Sequence, residues 1–471
     1  MKATPREKAP RHPIQEHRQA MDTTTSTPLT PDAAAARVST PRPEISATAS
    51  PTSPAQADLL FQRLDCLSGR GRESEAEALD DLIASLKERG GGRPLLDALL
   101  LKARFDLGLP LIPLNSLSDL AEPVRSQYED RYVEAIRAVG QGLLNAGKLL
   151  EAWPYFRVLG EKEPIVRAID AYTPGAPGEE LDPSFHGVVD LAFNQGVHPV
   201  KGFGWILEHY GTCSAISSFE HLPSDEAVRR VCAEHLIRHL HEHLVFSLRS
   251  DLERRGGASS LPPEGTPISD LLAGHEELFA DDAYHIDVSH LTATVRLGPL
   301  AHDPEVLKLA RDLTEYGRRL SPRHQYEGDP PFERVFEDHA VYFDIRLGRD
   351  VENGLAHFRA KLPPPPPPSS EAAAPADVEE SDARTWDPGG ESDLYSTLPA
   401  QVLAKILVQL DRHEDALEIV AQHLASIPEG AIPGLPSLAQ LCKRANRLDR
   451  LAALSRQRND PVQFAAARLE R

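Results

Sequence analysis

Cysteine and methionine are scarce in this chain, whose 471 residues include four cysteines and two methionines. The cysteines lie far apart, and none belongs to a Cys-x-x-Cys pair. This spacing argues against a disulfide framework and against a cysteine-rich zinc module. Free, scattered cysteines are typical of a reducing compartment, so a cytoplasmic location is expected.

Long apolar runs are also missing, since no segment approaches the roughly 18 uncharged residues that a membrane span requires. The basic first 20 residues contain no apolar stretch, so no secretory signal is expected. The net charge is −20, from 51 basic and 71 acidic side chains. That charge repels phosphate backbones and anionic lipid surfaces. We therefore expect neither nucleic acid nor membrane as a partner, and instead expect proteins, small molecules or cations.

Compact catalytic motifs are absent as well. The segment Gly202-x-Gly204 lacks the preceding strand and the later glycine of a phosphate-binding loop, and no Gly-x-Ser-x-Gly elbow occurs. Cys213 follows His209 by four residues, which is a conceivable nucleophile and base, but no third group is positioned in sequence to orient them. These motifs do not predict an enzyme.

What the sequence does contain is a series of helical patterns divided into five segments. Residues 1–57 are rich in Pro, Thr, Ser and Ala and are predicted to be a disordered head, because they can bury too little apolar surface to offset the entropy of ordering. The remaining segments are a helical repeat-like domain (58–180), a histidine-rich central helical domain (181–361), a Pro-rich acidic linker (362–393) and a C-terminal helical repeat-like unit (394–471). We call residues 181–361 the central block.

Apolar residues recur at helical spacing in each folded segment, and no convincing strand ladder occurs. In the central block, Asp303, Pro304 and Glu305 have the order of a capping acid, a first-turn proline and a first-turn carboxylate. A long helix is predicted to begin after Ser224 and to end at Gly256 or Gly257. The expected fold class is all-α, with antiparallel helix pairs stacked as an α-solenoid-like array.

Two distant segments share one residue spacing. Gly140 is followed at intervals of 12, 4 and 8 residues by Ala152, Phe156 and Pro164. The same intervals separate Ala404, Ala416, Val420 and Pro428. Small residues let two antiparallel helices approach closely, the bulkier residue packs between them, and the proline is expected to end the second helix. A third, weaker echo includes Gly348, Gly354 and Phe358.

This pattern resembles the tetratricopeptide repeat, a helix–turn–helix unit with a period of about 34 residues. The resemblance covers about 133–166 and 397–430, with turns expected at 145–148 and 411–413. Proteins of this family mostly bind other proteins. The resemblance therefore implies a protein partner. Together with the missing catalytic motifs and the acidic charge, it leads us to expect a non-catalytic protein-interaction scaffold without a cofactor.

The sharpest local signal lies in the central block. Cys232, His235, His239 and His243 fall within about 80° of one helix face at 100° per residue. Histidines four residues apart can share one metal ion, and neutral imidazole is a common metal ligand. The alternative interpretation is that these histidines lie at the edge of the core and bond to neighbouring helices.

A second histidine cluster consists of His285, Asp287 and His290. These residues could ligate a metal or form an acid–base pair, whereas Asp287 also fits the role of a helix cap. His339 lies on an apolar stripe and is expected to be a core histidine. The alternative to the scaffold is accordingly a metal-binding protein or metal-dependent enzyme that uses a divalent transition metal at these residues.

Overall fold

The computed structural model describes residues 54–67, 69–112, 120–176, 178, 181–256, 262–364, 395–424, 427–428, 430–457 and 459–470. All of these residues belong to one compact unit. The predicted disordered head lies outside this part of the chain except for 54–57, which form the start of the first helix. The predicted linker also lies outside it, except for residues 362–364.

In the described part of 54–176, the helices are α1 (Pro54–Leu67), α2 (Arg72–Glu88), α3 (Arg93–Asp106), α4 (Val124–Asn145), α5 (Leu149–Leu159) and α6 (Glu163–Ala171). Each of these helices packs against the next one in the chain. The buried residues of α4 include Ile136, Val139 and Leu143, which recur every three or four positions and so form one apolar stripe.

The turn predicted between α4 and α5 is confirmed. Gly147 has a left-handed φ of 74°, and the backbone N–H of Lys148 donates to the carbonyl of Leu143 at 2.9 Å. Helix α5 ends at Gly160, which is also left-handed, and Pro164 lies in the first turn of α6. The expectation that Pro164 ends the second helix was wrong, because glycine provides the C-cap and proline is favoured at a helix start.

In the central block, the described helices are α7 (Phe185–Ala192), α8 (Pro199–Trp205), α9 (Gly211–Phe219), α10 (Glu226–Gly256), α11 (Ile268–Leu271), α12 (Val288–Leu297), α13 (Pro304–Arg319), α14 (Val335–Arg346) and α15 (Val351–Ala360). A π-helical turn, Ile206–Tyr210, joins α8 to α9, and short 3₁₀ segments lie at Glu276–Asp282, Gly298–Leu300 and Pro322–His324.

Helix α10 is the centre of this block. Its leucines at positions 236, 240, 244 and 248 are buried and follow one another every four residues. The helix packs against α8, α9, α11, α12 and α13, most of which are distant in sequence. One helix surrounded by several others is the arrangement of a bundle rather than of a linear stack.

The last helices are α16 (Leu398–Gln409), α17 (His413–His423), α18 (Leu438–Arg444), α19 (Leu448–Gln457) and α20 (Pro461–Leu469). They again pack in chain order, and α16 also packs against α15. One hydrophobic core cluster contains residues from α10 through α20. The C-terminal helices and most of the central block therefore share a core.

The prediction of an all-α protein is confirmed for the described residues. They contain no β-strand, and their only β-type pairing is an isolated bridge between Glu327 and Arg334. None of the helices in this part of the chain combines the length and apolar composition that crossing a bilayer would require.

Candidate functional site

The two predicted helix pairs are α4–α5 and α16–α17, and we call these the helix pairs. At the first crossing, a Cβ added to Gly140 would lie 2.9 Å from Cε2 of Phe156, so the two helices approach as closely as a glycine allows. The small residues Ala152, Ala404 and Ala416 are fully buried at the two crossings. The third, weaker occurrence of the spacing shows the same close approach of two helices. A Cβ on Gly354 of α15 would lie 2.5 Å from Cγ1 of Ile345 on α14.

The four metal candidates on α10 lie at different depths. Cys232 is fully buried, and its burial raises the pKa of the thiol to about 12. His235 and His239 are half-buried and His243 is exposed. Burial lowers the pKa of both His235 and His239. Burial of this kind disfavours the thiolate, which is the form of cysteine that ligates a metal.

His239 and His243 are the two members of this set that the structure brings together. Their ring centroids are 4.1 Å apart, and Nε2 of His239 is buried with no hydrogen-bond partner among the described residues. Two imidazoles at this separation can share an ion. However, no group of three or more His, Cys, Asp and Glu side chains in the described ranges is arranged to hold a metal.

The second cluster does not converge on one point. Asp287 is the N-cap of α12, where its carboxylate accepts from the backbone N–H groups of Ser289 and His290 at 2.8 and 3.2 Å. The structure therefore places Asp287 in the role of a helix cap. His285 instead faces the core, where its Nε2 lies 3.4 Å from Asp251 and its Nδ1 lies 3.1 Å from the hydroxyl of Tyr316.

Two further histidines, His339 and His209, pack against aromatic rings. His339 is buried, stacks on the ring of Phe332 at 4.0 Å and donates from Nδ1 to the carbonyl of Val335, so its prediction as a core histidine is confirmed. His209 lies against the ring of Phe185 at 4.8 Å. No hydrogen bond joins it to Cys213 within the described residues, and this pair lacks the geometry of an activated nucleophile.

A cleft that the sequence did not reveal lies among α13, α14 and α15. We call it the Arg-lined cleft, and its volume is about 290 Å³. Its charged and titratable lining residues are Arg311, Arg318, Arg334, Glu337, Asp344 and His357. The lining thus joins three guanidinium groups and one imidazole to two carboxylates.

A buried carboxylate supports one end of this cleft. Asp338 is fully buried and lies 2.8 Å from Nε2 of His357 and 2.8 Å from Nζ of Lys361. It also accepts from the backbone N–H of Arg334 at 2.8 Å. Because an ionised carboxylate cannot donate, Nε2 of His357 carries the proton in this bond. Asp338 therefore fixes both His357 and the backbone at Arg334.

Part of the Arg-lined cleft left a trace in the sequence. Arg311 and Arg318 are seven residues apart, which places them on the same face of α13. Nothing local, however, indicates that Arg334 and His357 meet them there, since those residues belong to other elements. The clusters singled out from the sequence were instead runs of histidine within single segments.

Comparisons with known proteins give no relative: no family model, no curated protein and no solved structure matches the chain. A functional proposal therefore rests on the geometry described above and on the helix-pair spacing of the sequence.

Proposed function

We propose that this protein is a non-catalytic interaction scaffold of the tetratricopeptide type that binds a partner protein in the cytoplasm. The observation that carries this proposal is the repeated small-residue crossing, with Gly140 against Phe156 in one helix pair and Ala404 and Ala416 buried in the other. Stacked helix pairs leave extended surfaces on which another chain can lie. In this proposal, solenoid-like stacking applies to the two ends of the described chain, where helices pack in sequence order.

Two further observations support the proposal. Helix α5 has an exposed apolar side chain, Val158, whose exposed fraction is 55%. Exposed apolar side chains on helix pairs can contribute to the apolar contacts of a protein interface. The four cysteines are free thiols, as is usual for proteins of a reducing compartment.

The test is cross-linking of the full chain to partners in native lysate, followed by mapping of the cross-links. A charge-matched helical protein serves as the background. A partner enriched over that background, with cross-links concentrated at 124–171 or 398–469, is the expected result. Lack of any enriched partner, or cross-links confined to the central block, would refute the proposal.

A pair of matched variants sharpens this test. Val158→Asp places a charge on α5, whereas Phe246→Asp places one on α10, where Phe246 has an exposed fraction of 73%. We expect the first variant to lose the partner and the second to retain it, because only the first lies on a helix pair. The opposite outcome would move the interface to the central block.

The adjacent imidazoles of His239 and His243 favour a second candidate function, the binding of a divalent transition metal at α10. Elemental analysis of protein purified without an affinity tag tests it. We expect bound metal, and a rise in melting temperature with zinc that His243→Ala abolishes and the half-buried control His275→Ala retains. Protein that is metal-free and whose melting is unchanged by zinc or chelator excludes this candidate.

A further inference from the structure

The Arg-lined cleft gathers arginine side chains in a chain that is acidic as a whole. The protein has a net charge of −20, yet three guanidinium groups line one cleft of about 290 Å³ between α13, α14 and α15. The lining has three guanidinium groups against two carboxylates, and clustered guanidinium groups attract anions locally. The acidic side chains that oppose this attraction are Glu337 and Asp344 in the lining, Glu315 beside it, and the buried Asp338, which pairs with Lys361.

The three arginines differ in how many of their N–H donors already make hydrogen bonds within the chain. Arg311 donates from Nε to Asp344 at 3.0 Å and from Nη1 to Glu315 at 3.2 Å, so its position is fixed and its charge is largely neutralised. Arg318 makes one long bond to Glu315, at 3.4 Å. The guanidinium of Arg334 makes no hydrogen bond or ion pair within the described part of the chain. Each guanidinium has five N–H donors, so Arg318 and Arg334 have most of theirs available.

His357 adds a further group at the same cleft. Its Nε2 donates to the buried Asp338 at 2.8 Å, so the orientation of the ring is set by a carboxylate that solvent does not reach. The same carboxylate holds the backbone at Arg334. A ring fixed in this way loses little entropy when it contacts a ligand.

We propose that the Arg-lined cleft binds a phosphoryl group. Guanidinium groups bind phosphate through paired, charge-assisted hydrogen bonds, and a dianion with three terminal oxygens can engage more than one of them. The cleft is close to the lower end of the volumes of small-molecule sites, about 300 Å³. It is therefore large enough for a phosphoryl group attached to a small organic part. That group comes either from a free phosphorylated metabolite or from a phosphorylated side chain.

A substitution at Glu337 should change the affinity for a phosphoryl group in the direction opposite to the loss of an arginine. It lines the cleft in a half-buried position, and no ion pair or hydrogen bond of its carboxylate occurs among the described residues. Its charge repels a bound phosphoryl group. Glu337→Gln should therefore tighten binding, whereas loss of an arginine should weaken it.

The experiment is calorimetric titration of the full chain with inorganic phosphate, phosphorylethanolamine and a short peptide containing phosphoserine, with acetate as the carboxylate probe. Arg318→Ala and Arg334→Ala should each weaken phosphate binding by at least about tenfold, because each removes charge-assisted hydrogen bonds to the ligand. Glu337→Gln should strengthen it several-fold. Arg131→Ala serves as control, since Arg131 is an exposed arginine of α4.

Circular dichroism of each variant checks that the fold is intact. An intact fold is expected because Arg318 and Arg334 are both exposed. Tight phosphorylethanolamine binding with weak peptide binding identifies a free metabolite as the source, and the reverse identifies a phosphorylated side chain. The proposal is overturned if none of the phosphoryl probes binds, or if the double variant Arg318→Ala/Arg334→Ala binds phosphate as the unmodified chain does. It is also overturned if acetate binds as tightly as phosphate.

Discussion

The helix pairs and the central block bury apolar stripes of the same kind but place them against different partners. In the pair α4–α5, Phe156 packs on Gly140, a residue of the preceding helix. In the central block, α10 packs against α8, which precedes it in the chain, and against α12 and α13, which follow it. Contacts between neighbours in sequence allow local opening, whereas contacts between distant helices couple them.

The placement of polar side chains also differs between the central block and the helix pairs. Among the described residues, the buried polar side chains are concentrated between positions 251 and 339, and they are Asp251, Thr292, Thr294, Thr314, Asp338 and His339, with Ser455 as the exception. In the helix pairs, by contrast, ion pairs such as Arg137–Glu161 and Arg412–Asp415 lie at the surface. All of the central-block members except Thr294 make hydrogen bonds there, in a low dielectric where an unpaired group is costly.

The largest expected effect is the loss of a buried aromatic ring in each region. Phe156→Ala and Phe343→Ala should each lower the free energy of unfolding by about 3 to 5 kcal/mol, because both rings are buried and truncation leaves a cavity. Hydrogen exchange should distinguish them. Phe156→Ala should reduce protection only in α4, α5 and the adjacent helices, whereas Phe343→Ala should reduce it throughout α12, α13 and α14. Equal loss of protection everywhere would show that both regions unfold as one unit.

A smaller effect is expected from removing one carboxylate in each region. Asp338→Ala should cost about 3 kcal/mol, because it breaks a buried ion pair and leaves His357 without its partner. The cost stays near that value because Lys361 retains bonds to Glu333 and to the carbonyl of Pro331. Asp415→Ala, at a partly exposed pair in α17, should cost less than about 1 kcal/mol. Urea unfolding measures both, and equal costs would contradict the contrast in burial.

The close glycine crossings provide a third comparison. A Cβ on Gly317 would lie 2.3 Å from Cδ1 of Phe336, whereas one on Gly140 would lie 2.9 Å from Phe156. Overpacking costs about 1 to 3 kcal/mol, and replacing a helical glycine by alanine returns about 1 kcal/mol. We expect Gly317→Ala to destabilise by about 2 kcal/mol and Gly140→Ala by less than about 1 kcal/mol. Thermal melts of the two variants test the order, and a more damaging Gly140→Ala would reverse it.

The smallest effect is expected from mild acid. Burial lowers the pKa of His339 to about 4 and also lowers the pKa values of His235, His239 and His285. The unfolded chain takes up protons below about pH 6.5 while these folded histidines do not, so stability falls as pH decreases from about 6.5 towards 4.

For His339 this loss should reach about 1 kcal/mol by pH 5.5. Residues 124–171 contain no histidine, so the pair α4–α5 lacks this dependence. Hydrogen exchange at pH 7 and pH 5.5, corrected for intrinsic rates, should show a greater loss of protection in the central block than in the pair α4–α5. His339→Gln should reduce the difference. A pH response of equal size in both regions would indicate that other groups dominate it.

Several local features could be predicted because they depend on a few consecutive residues. Asp303 is the N-cap of α13 with Pro304 at its first position, and α10 ends at Gly256, as its sequence indicates. Asp287 likewise caps α12. A cap needs only a side-chain oxygen next to free backbone N–H groups, so sequence order suffices to identify it.

The sites were harder to predict, because each one joins residues from separate elements. The four-residue spacing on α10 correctly placed His239 beside His243, since the two share a helix. It could not indicate that His285 bonds to Asp251 and Tyr316 rather than to His290, since those partners are 34 and 31 residues away. The Arg-lined cleft likewise depends on how α13, α14 and α15 pack.

By itself, the sequence determined the helices, several of their caps and the close crossings of the helix pairs, because apolar periodicity and small residues act over one or two turns of helix. The tertiary structure alone decided which helices surround α10, which carboxylate is buried beside His357, and where three arginines meet. The physical reason is that the choice among distant partners depends on the complementary shapes of packed side chains, a property of the folded chain that no short segment contains.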